Sequence, residues 1–175
     1  TFLLDKPFFI LATQNPIEME GTFPLPEAQL DRFLFKILVD YPTLEDETEI
    51  VNRYTQSAVI QVNKVIDKNT LLDLQSFVRD TPIADDIKAR AIKIVMTTRE
   101  WGKHIEYGAS PRASIGLILA AKARALIHGR DYVSNEDIEA MAYPILRHRI
   151  ILIFESERQG VSKDQVIKEM LLQIK

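Results

Sequence analysis

The stretch from Phe8 to Pro16 reads FFILATQNP, and it decides the fold class that the sequence predicts. A continuous apolar run ends abruptly in polar residues and a turn-forming Asn-Pro pair. Such a run is typical of a strand that is buried on both faces, inside a parallel sheet with helices on each side. In open α/β sheets, ligands bind beyond the carboxyl ends of the strands, which is where Thr13, Gln14 and Asn15 would emerge.

The residues around this run predict a small α/β unit. Pro26 favours the start of a short helix, and the apolar run at residues 34–39 indicates a second strand. A lone interior strand cannot satisfy its own backbone groups, so we expect these strands to belong to a larger sheet and the chain to be part of a longer protein. Tyr41 and Pro42 close the unit, and we place a domain boundary there.

After Pro42 the apolar residues recur with the period of a helix, and they predict six helices. Capping residues mark several of the helix starts: Thr43 with Asp46, Ser134 with Asp137, and Ser162 with Gln165. Gly129 is expected to stop the fourth helix, as glycine commonly does. The sequence therefore predicts an all-helical bundle after Pro42 that can fold on its own.

The composition excludes several classes of protein. The chain has 175 residues, of which 46% are hydrophobic and 27% are charged, and these values are ordinary for a globular domain. Its net charge of −3 offers no basic surface, so we expect no nucleic-acid partner. The absence of cysteine excludes disulfides and thiolate metal sites, and the three histidines lack metal-ligand spacing. No long apolar run predicts a membrane-spanning helix.

Asn15 and Arg32 are candidate functional residues with simple alternatives. The carboxamide of Asn15 offers both a donor and an acceptor, so at a strand end it can orient a water or contact a phosphate oxygen. Alternatively, Asn15 merely begins a turn before Pro16. Arg32 follows a short predicted helix, where the helix dipole favours a cation, and by itself it is a weak signal.

Arg112 is more informative because of its place in a predicted helix. Ser110 is expected at the N-cap and Pro111 at the first helical position, which puts Arg112 in the first turn. The helix dipole disfavours a cation there, unless the arginine shares an anion with the free backbone N–H groups. The alternatives are that its side chain extends into solvent or pairs with a nearby carboxylate. By contrast, residues 147–149 (Arg-His-Arg) fit the favourable dipole at the end of the fifth helix.

Two segments carry a resemblance to a known family. Residues 12–18 read ATQNPIE and residues 20–33 read EGTFPLPEAQLDRF, and together they resemble the signature of the MoxR family of AAA+ ATPases. Residues 108–113, GASPRA, are similar to the lid motif of that family. The resemblance implies an α/β remnant plus an all-α part: residues 1–42 as the last strands of a P-loop AAA+ core, and residues 43–175 as a helical lid domain.

The resemblance also implies roles for three residues in ATP hydrolysis with Mg²⁺. Asn15 matches sensor 1, which helps to position the water that attacks the γ-phosphate. Arg32 matches the arginine finger, which one subunit offers to the nucleotide of its neighbour. Arg112 matches sensor 2, a lid arginine that contacts the phosphates. These roles fit the chemistry, because phosphoryl transfer needs positioning and positive charge more than covalent chemistry.

A finger that acts across subunits implies a ring of identical subunits, and we expect six of them. The resemblance further implies chaperone-like remodelling or maturation of partner proteins, often ones that carry von Willebrand factor A domains. We expect a cytoplasmic location and no membrane insertion.

The sequence departs from the family pattern in one respect. None of its six glycines belongs to a P-loop, and no apolar strand ends in the acidic pair of a Walker B motif. We therefore expect the phosphate cradle and the Mg²⁺ ligands to lie outside these residues, and no ATP hydrolysis by the 175 residues alone. Two alternatives stay open: another motor of the same clade, either magnesium-chelatase-like or helicase-like, and a non-enzymatic helical interaction module.

Overall fold

A computed structural model describes residues 2–15, 25–56 and 61–174 of the chain. The described part is mostly helical and contains one small antiparallel sheet. Residues 16–24, which hold most of the segment between the first apolar run and Pro26, lie outside the described residues. In chain order, the elements are α1 (Glu27–Leu30), α2 (Leu44–Tyr54), α3 (Lys68–Asp80), α4 (Asp85–Glu100), β1 (Ile105–Tyr107), α5 (Pro111–Ile127), α6 (Asn135–Leu146), β2 (Ile151–Leu152), α7 (Phe154–Arg158) and α8 (Lys163–Gln173).

Local capping explains where several helices begin, and it confirms those predictions. At α2, the Asp46 amide donates to the Thr43 hydroxyl, and the Asp46 carboxylate accepts from the Thr43 amide, both at 3.2 Å. The start of α8 has the same reciprocal arrangement between Ser162 and Gln165. Each pair satisfies two backbone donors that a helix start would otherwise leave without partners.

Among the described residues, the buried hydrophobic core lies within residues 91–174. Helices α4, α5, α6 and α8 pack on one another, and α5 and α6 form the most extensive contact. The largest fully buried side chains of this core are Ile94, Leu117, Ile138, Ile145, Leu146, Ile150, Ile167 and Met170. The helical periodicity of the sequence had predicted this packing, because each helix presents an apolar face.

The prediction of an all-helical bundle of six helices after Pro42 is wrong in two details: it misses the short helix α7, and it misses two short strands. Strands β1 and β2 pair in an antiparallel two-stranded sheet, with Ile105 opposite Leu152, and both of these residues are buried. The strands are three and two residues long, too short for an alternating pattern to be recognised in the sequence. This small sheet links the end of α4 to the chain that follows α6.

The predicted strands at residues 8–12 and 34–39 are not formed in the described structure. Neither segment has a strand neighbour there, since the described sheet consists of β1 and β2 alone. Their apolar side chains are largely exposed; Leu11 is 83% exposed and Val39 is 91% exposed. An apolar run becomes a buried strand only where another strand accepts its backbone hydrogen bonds, which the run itself does not supply.

Helices α2 and α3 contribute no residue to the buried core, although the sequence predicts an apolar stripe on each of them. Neither helix has a fully buried residue, and Tyr54, Leu74 and Phe77 are exposed. Helix α3 packs on α5, where the ammonium of Lys122 donates to the carbonyl of Arg79 at 2.8 Å. A domain boundary at residue 42 stays a prediction, but the buried core begins much later in the chain.

Candidate functional site

The N-terminus of α5 is built as the sequence predicts. Ser110 has an extended backbone at the N-cap, and its hydroxyl accepts from the Arg112 amide at 3.3 Å. Pro111 occupies the first helical position. Arg112 therefore lies in the first turn, near the positive end of the helix dipole.

The residues just before α5 are fixed against the end of α4. The Ala109 amide donates to the buried hydroxyl of Thr98 at 2.9 Å, and the Arg99 side chain donates to the Ala109 carbonyl at 2.9 Å. At Gly108 the backbone approaches α4 so closely that an added Cβ would lie 2.6 Å from backbone atoms of Thr98 and Arg99. This close approach requires a residue without a side chain and sets the position from which α5 starts.

Arg112 is 61% exposed at its side chain, and its Nε lies 3.6 Å from a carboxylate oxygen of Asp31. The sequence left open whether this arginine would meet an anion, enter solvent or pair with a carboxylate. The structure shows a long contact with a carboxylate from a distant part of the chain. A contact of this length and exposure holds the guanidinium only weakly.

Asp31, at the end of α1, joins the two predicted parts of the chain. Its carboxylate accepts from the hydroxyl of Ser110 at 2.9 and 3.0 Å and from Nε of Arg149 at 3.0 Å. The side chain of Arg149 is only 3% exposed. One carboxylate thus holds the N-cap of α5, a buried arginine and the exposed Arg112.

The three predicted site residues differ in how the structure places them. Arg32 follows Asp31 directly, so its backbone lies beside the group that Arg112 contacts. Its side chain is exposed and has no hydrogen-bond or ionic partner among the described residues. Asn15 is exposed at the end of the segment 2–15. The contacts around Asp31 thus bring Arg32 and Arg112 into one neighbourhood, whereas the participation of Asn15 stays a prediction.

The interpretation of residues 147–149 as cations that suit a helix dipole was incomplete, because these residues hold the segment 31–36. Arg147 donates to both carboxylate oxygens of Asp164, at 3.0 and 2.7 Å, and to the carbonyl of Lys36 at 3.0 Å. The ring Nε2 of His148 is 3.0 Å from the carbonyl of Phe33. Three consecutive donor side chains after a helix are the only sequence signal for this role, and that signal does not name their partners.

Burial changes the pKa values of two basic side chains that contact residues 31–36. It lowers the pKa of His148, and the hydrogen bond to the Phe33 carbonyl opposes that change only in part. Burial also lowers the pKa of Arg149, against the stabilising effect of Asp31. The ring Nδ1 of His148 is buried without a hydrogen-bond partner in the described structure. A proton added there would carry its charge into a site with nothing to receive it.

Metal binding and membrane insertion each require a feature that can be recognised in the described part. Within it, no group of three or more histidine, aspartate or glutamate side chains is arranged to hold a metal ion. None of the helices described there has both the length and the apolar character needed to cross a bilayer.

Comparisons with known proteins agree with the resemblance seen in the sequence. Residues 1–35 match the family model described as "ATPase family associated with various cellular activities (AAA)", and residues 102–170 match the AAA lid domain. The chain is 42% identical to the uncharacterized protein YeaC of Bacillus subtilis over 176 aligned residues, which cover 100% of the chain and 55% of YeaC. It is 39% identical to the chaperone MoxR1 of Mycobacterium tuberculosis, covering 98% of the chain and 47% of MoxR1.

A solved structure gives the same answer for the fold. The crystal structure of a protein from Cytophaga hutchinsonii, named as a candidate ATPase, superposes with a TM-score of 0.93 at 42% identity, over 99% of this chain and 56% of that one. The chain spans about half the length of the curated relatives that it matches. On its motifs, its lid and these relatives, the chain belongs to the MoxR family of AAA+ ATPases.

Proposed function

We propose that this chain supplies the sensor, arginine-finger and lid elements of a MoxR-like motor that couples ATP hydrolysis to chaperone-like remodelling of partner proteins. In this proposal, Asn15 orients the attacking water, Arg32 reaches the nucleotide of a neighbouring subunit, and Arg112 contacts the phosphates from the lid. The family assignment and the chaperone MoxR1 among the relatives support the general activity.

One observation carries the proposal: the loop that bears Arg32 and the first turn that bears Arg112 meet at Asp31, while both guanidinium groups remain exposed. An exposed arginine without a strong partner is free to form the bidentate hydrogen bonds that phosphate oxygens accept. The N-terminus of α5 adds a favourable dipole for the same anion. These features fit the phosphate end of ATP better than they fit a structural role.

ATP and Mg²⁺ are the cofactors of this proposal, and the chain accounts for only part of their binding. Its arginines fit the triphosphate, whereas its described residues offer no carboxylate cluster for Mg²⁺. The phosphate cradle and the metal ligands are therefore assigned to the rest of the protein. Mg²⁺, held by ligands in the rest of the protein, would neutralise phosphate charge, while Arg32 and Arg112 would bind phosphate oxygens that become more negative during transfer.

The proposed assembly is a ring of six identical subunits, because a finger that acts in a neighbour's site needs a closed set of interfaces. The partner proteins are proposed to include ones with von Willebrand factor A domains, and the location is proposed to be the cytoplasm. Nucleic acid is not among the proposed partners, since the net charge is −3.

The decisive experiment mixes two inactive variants of the full-length protein. One carries Arg32→Ala and retains its P-loop, and the other lacks the P-loop lysine and retains Arg32. Mixed rings are expected to recover ATP hydrolysis, because the second subunit supplies a finger to the nucleotide of the first. Arg158→Ala, which alters an exposed arginine of α7, serves as the control and should leave turnover unchanged. If the mixture stays as inactive as each variant alone, the cross-subunit role of Arg32 is refuted.

The 175 residues alone are proposed not to hydrolyse ATP. Turnover by the purified chain, measured as released phosphate and abolished by Arg32→Ala, would show that a nucleotide site had been missed within these residues.

A further inference from the structure

We propose that Arg149 is the positioning residue for Arg32, fixing the finger-bearing segment to the lid so that the two move together. This inference rests on the proposed role of Arg32. It concerns a different residue, one that lies 117 positions later in the chain and that the sequence had assigned to a helix dipole.

Arg149 uses every donor that its side chain has. Nε donates to the carboxylate of Asp31 at 3.0 Å, and Nη2 donates to the backbone carbonyls of Asp31 at 3.0 Å and Phe33 at 2.5 Å. Nη1 donates to the carbonyls of Leu34 at 3.1 Å and Ile145 at 2.7 Å. A guanidinium has five N–H groups, so all of them are engaged. Four of the five bonds end on residues that flank Arg32.

The fifth hydrogen bond of Arg149 attaches the residues that flank Arg32 to the lid. The carbonyl of Ile145 belongs to the last turn of α6, where backbone carbonyls lack partners within the helix. The carbonyl of Pro144, one residue earlier, accepts from the amide of Lys36 at 2.8 Å. The C-terminus of α6 is therefore completed partly by Arg149 and partly by the segment that Arg149 holds.

Because the side chain is only 3% exposed, water does not compete well for these bonds. A rotation of the lid would therefore move residues 31–34 as well. Arg32 lies between Asp31 and Phe33, whose backbone carbonyls both accept hydrogen bonds from Arg149. A lysine at this position cannot reproduce the five hydrogen bonds of Arg149, since an ammonium has three donors and lacks the planar geometry of a guanidinium. Arg149→Lys thus keeps the positive charge and removes the geometry.

The first test places Arg149→Lys in one subunit type of the mixed rings described above. In the subunit that donates the finger, it is expected to lower ATP hydrolysis by about tenfold or more, because a misplaced catalytic group loses about that much or more. In the Arg32→Ala subunit, which has no finger to position, the loss is expected to stay below about twofold. An equal loss in both placements would overturn the proposal, because it would indicate a general structural defect.

Arg130→Lys is the matched control. Arg130 also binds a carboxylate with two nitrogens, at 2.6 and 2.7 Å, but its partner Asp137 lies within the lid and away from residues 31–36. This variant should have the same effect in whichever subunit it is placed. An asymmetric loss like that of Arg149→Lys would count against the specific role of Arg149.

A second measurement does not depend on turnover. Hydrogen exchange of the full-length protein is expected to show faster exchange at the Lys36 amide in Arg149→Lys, because that amide donates to the Pro144 carbonyl beside the Arg149 contacts. Unchanged exchange at residues 31–36 would overturn the proposal. If the original mixture of Arg32→Ala and P-loop variants recovers no activity, the proposed function fails, and the exchange result still decides whether Arg149 holds this segment.

Discussion

Asp137 provides a quantitative test of what holds α5 and α6 together. Its carboxylate is fully buried and accepts hydrogen bonds from two arginines and from the start of its own helix. Arg124 donates at 2.5 Å, Arg130 donates twice at 2.6 and 2.7 Å, and the amide and hydroxyl of Ser134 donate at 2.9 and 3.0 Å. Asp137→Asn keeps the shape of the side chain but replaces one of the two acceptor oxygens with a donor.

The size of the effect follows from the burial of the partners. Removing one member of a buried ion pair typically costs 3–5 kcal/mol, because the remaining charge is left uncompensated. Arg124 and Arg130 are each 26% exposed at their side chains, so water can partly solvate their charges after the change. The lower end of the range of about 3–5 kcal/mol therefore applies, and Asp137→Asn should lower the free energy of unfolding by about 3 kcal/mol. With a urea m-value of about 2 kcal/mol/M, the midpoint should fall by about 1.5 M.

The effect should depend on pH in a definite direction. Hydrogen bonding, from Arg130 above all, holds the pKa of Asp137 well below its usual range. A carboxylate with a lowered pKa stabilises the folded state fully above its pKa in the unfolded chain, which is about 3.9. That contribution is lost as the pH falls through the lowered pKa of the folded state. The difference between the original chain and Asp137→Asn should therefore be constant above about pH 5 and shrink below about pH 4.

Urea unfolding followed by far-ultraviolet circular dichroism measures both quantities. Asp73→Asn on α3 is the control, because Asp73 is exposed and its replacement should change the free energy of unfolding by no more than about 0.5 kcal/mol. A loss of less than about 1 kcal/mol at pH 7 for Asp137→Asn would refute the reasoning from burial. A loss of the same size at pH 3 and pH 7 would refute the assignment to the ionised carboxylate.

Three further predictions concern Gly108, which positions the start of α5, His148, which contacts the Phe33 carbonyl, and Arg112 itself. Gly108→Ala should lower the free energy of unfolding by about 2 kcal/mol, because the added Cβ would lie 2.6 Å from backbone atoms. Gly102→Ala is the control, since Gly102 has open space around it and its replacement should cost far less. Urea unfolding measures both free energies. Burial lowers the pKa of His148, so as the pH falls below about 6.5 this residue takes up a proton in the unfolded chain before it does in the folded chain. The free energy of unfolding should therefore decline below that pH, and His148→Gln should flatten the decline. Arg112→Ala should change the free energy of unfolding by no more than about 1 kcal/mol while reducing ATP turnover of the full-length protein. A large loss of stability with normal turnover would reverse its proposed role.

The elements that the sequence predicts correctly are those whose determining interactions are local. The starts of α2 and α8 depend on two side chains three residues apart, and the structure confirms both pairs. The start of α5 depends on Ser110 and Pro111, which are also neighbours, and it too is confirmed. In each case the residues that form the interaction are visible within one helical turn of sequence.

The misses have the opposite cause. A strand depends on a partner that the run itself does not specify, so the apolar residues 8–12 indicated burial that the described structure does not contain. The role of residues 147–149 depends on carbonyls more than one hundred positions earlier. Within the candidate site, the motifs predict roles for Arg32 and Arg112, which stay predictions, and they give no indication that Asp31 contacts Arg112 and lies beside Arg32. Long-range hydrogen bonds to backbone atoms leave almost no trace in residue type.

The two arginines that share Asp31 illustrate how geometry separates a structural cation from an available one. Arg149 is buried, and its five donors are all engaged, so releasing it would leave several polar groups unpaired at a cost of about 1–3 kcal/mol each. Arg112 is mostly exposed and has only a 3.6 Å contact to lose, which is worth about 1 kcal/mol at most. Hydrogen bonds from a guanidinium to a charged phosphate are worth about 1.5–3 kcal/mol each, so a triphosphate can draw Arg112 away from Asp31 but cannot displace Arg149. With Arg112 in its proposed role, nucleotide binding would exchange one partner of Asp31 and leave the attachment of residues 31–34 to Arg149 intact.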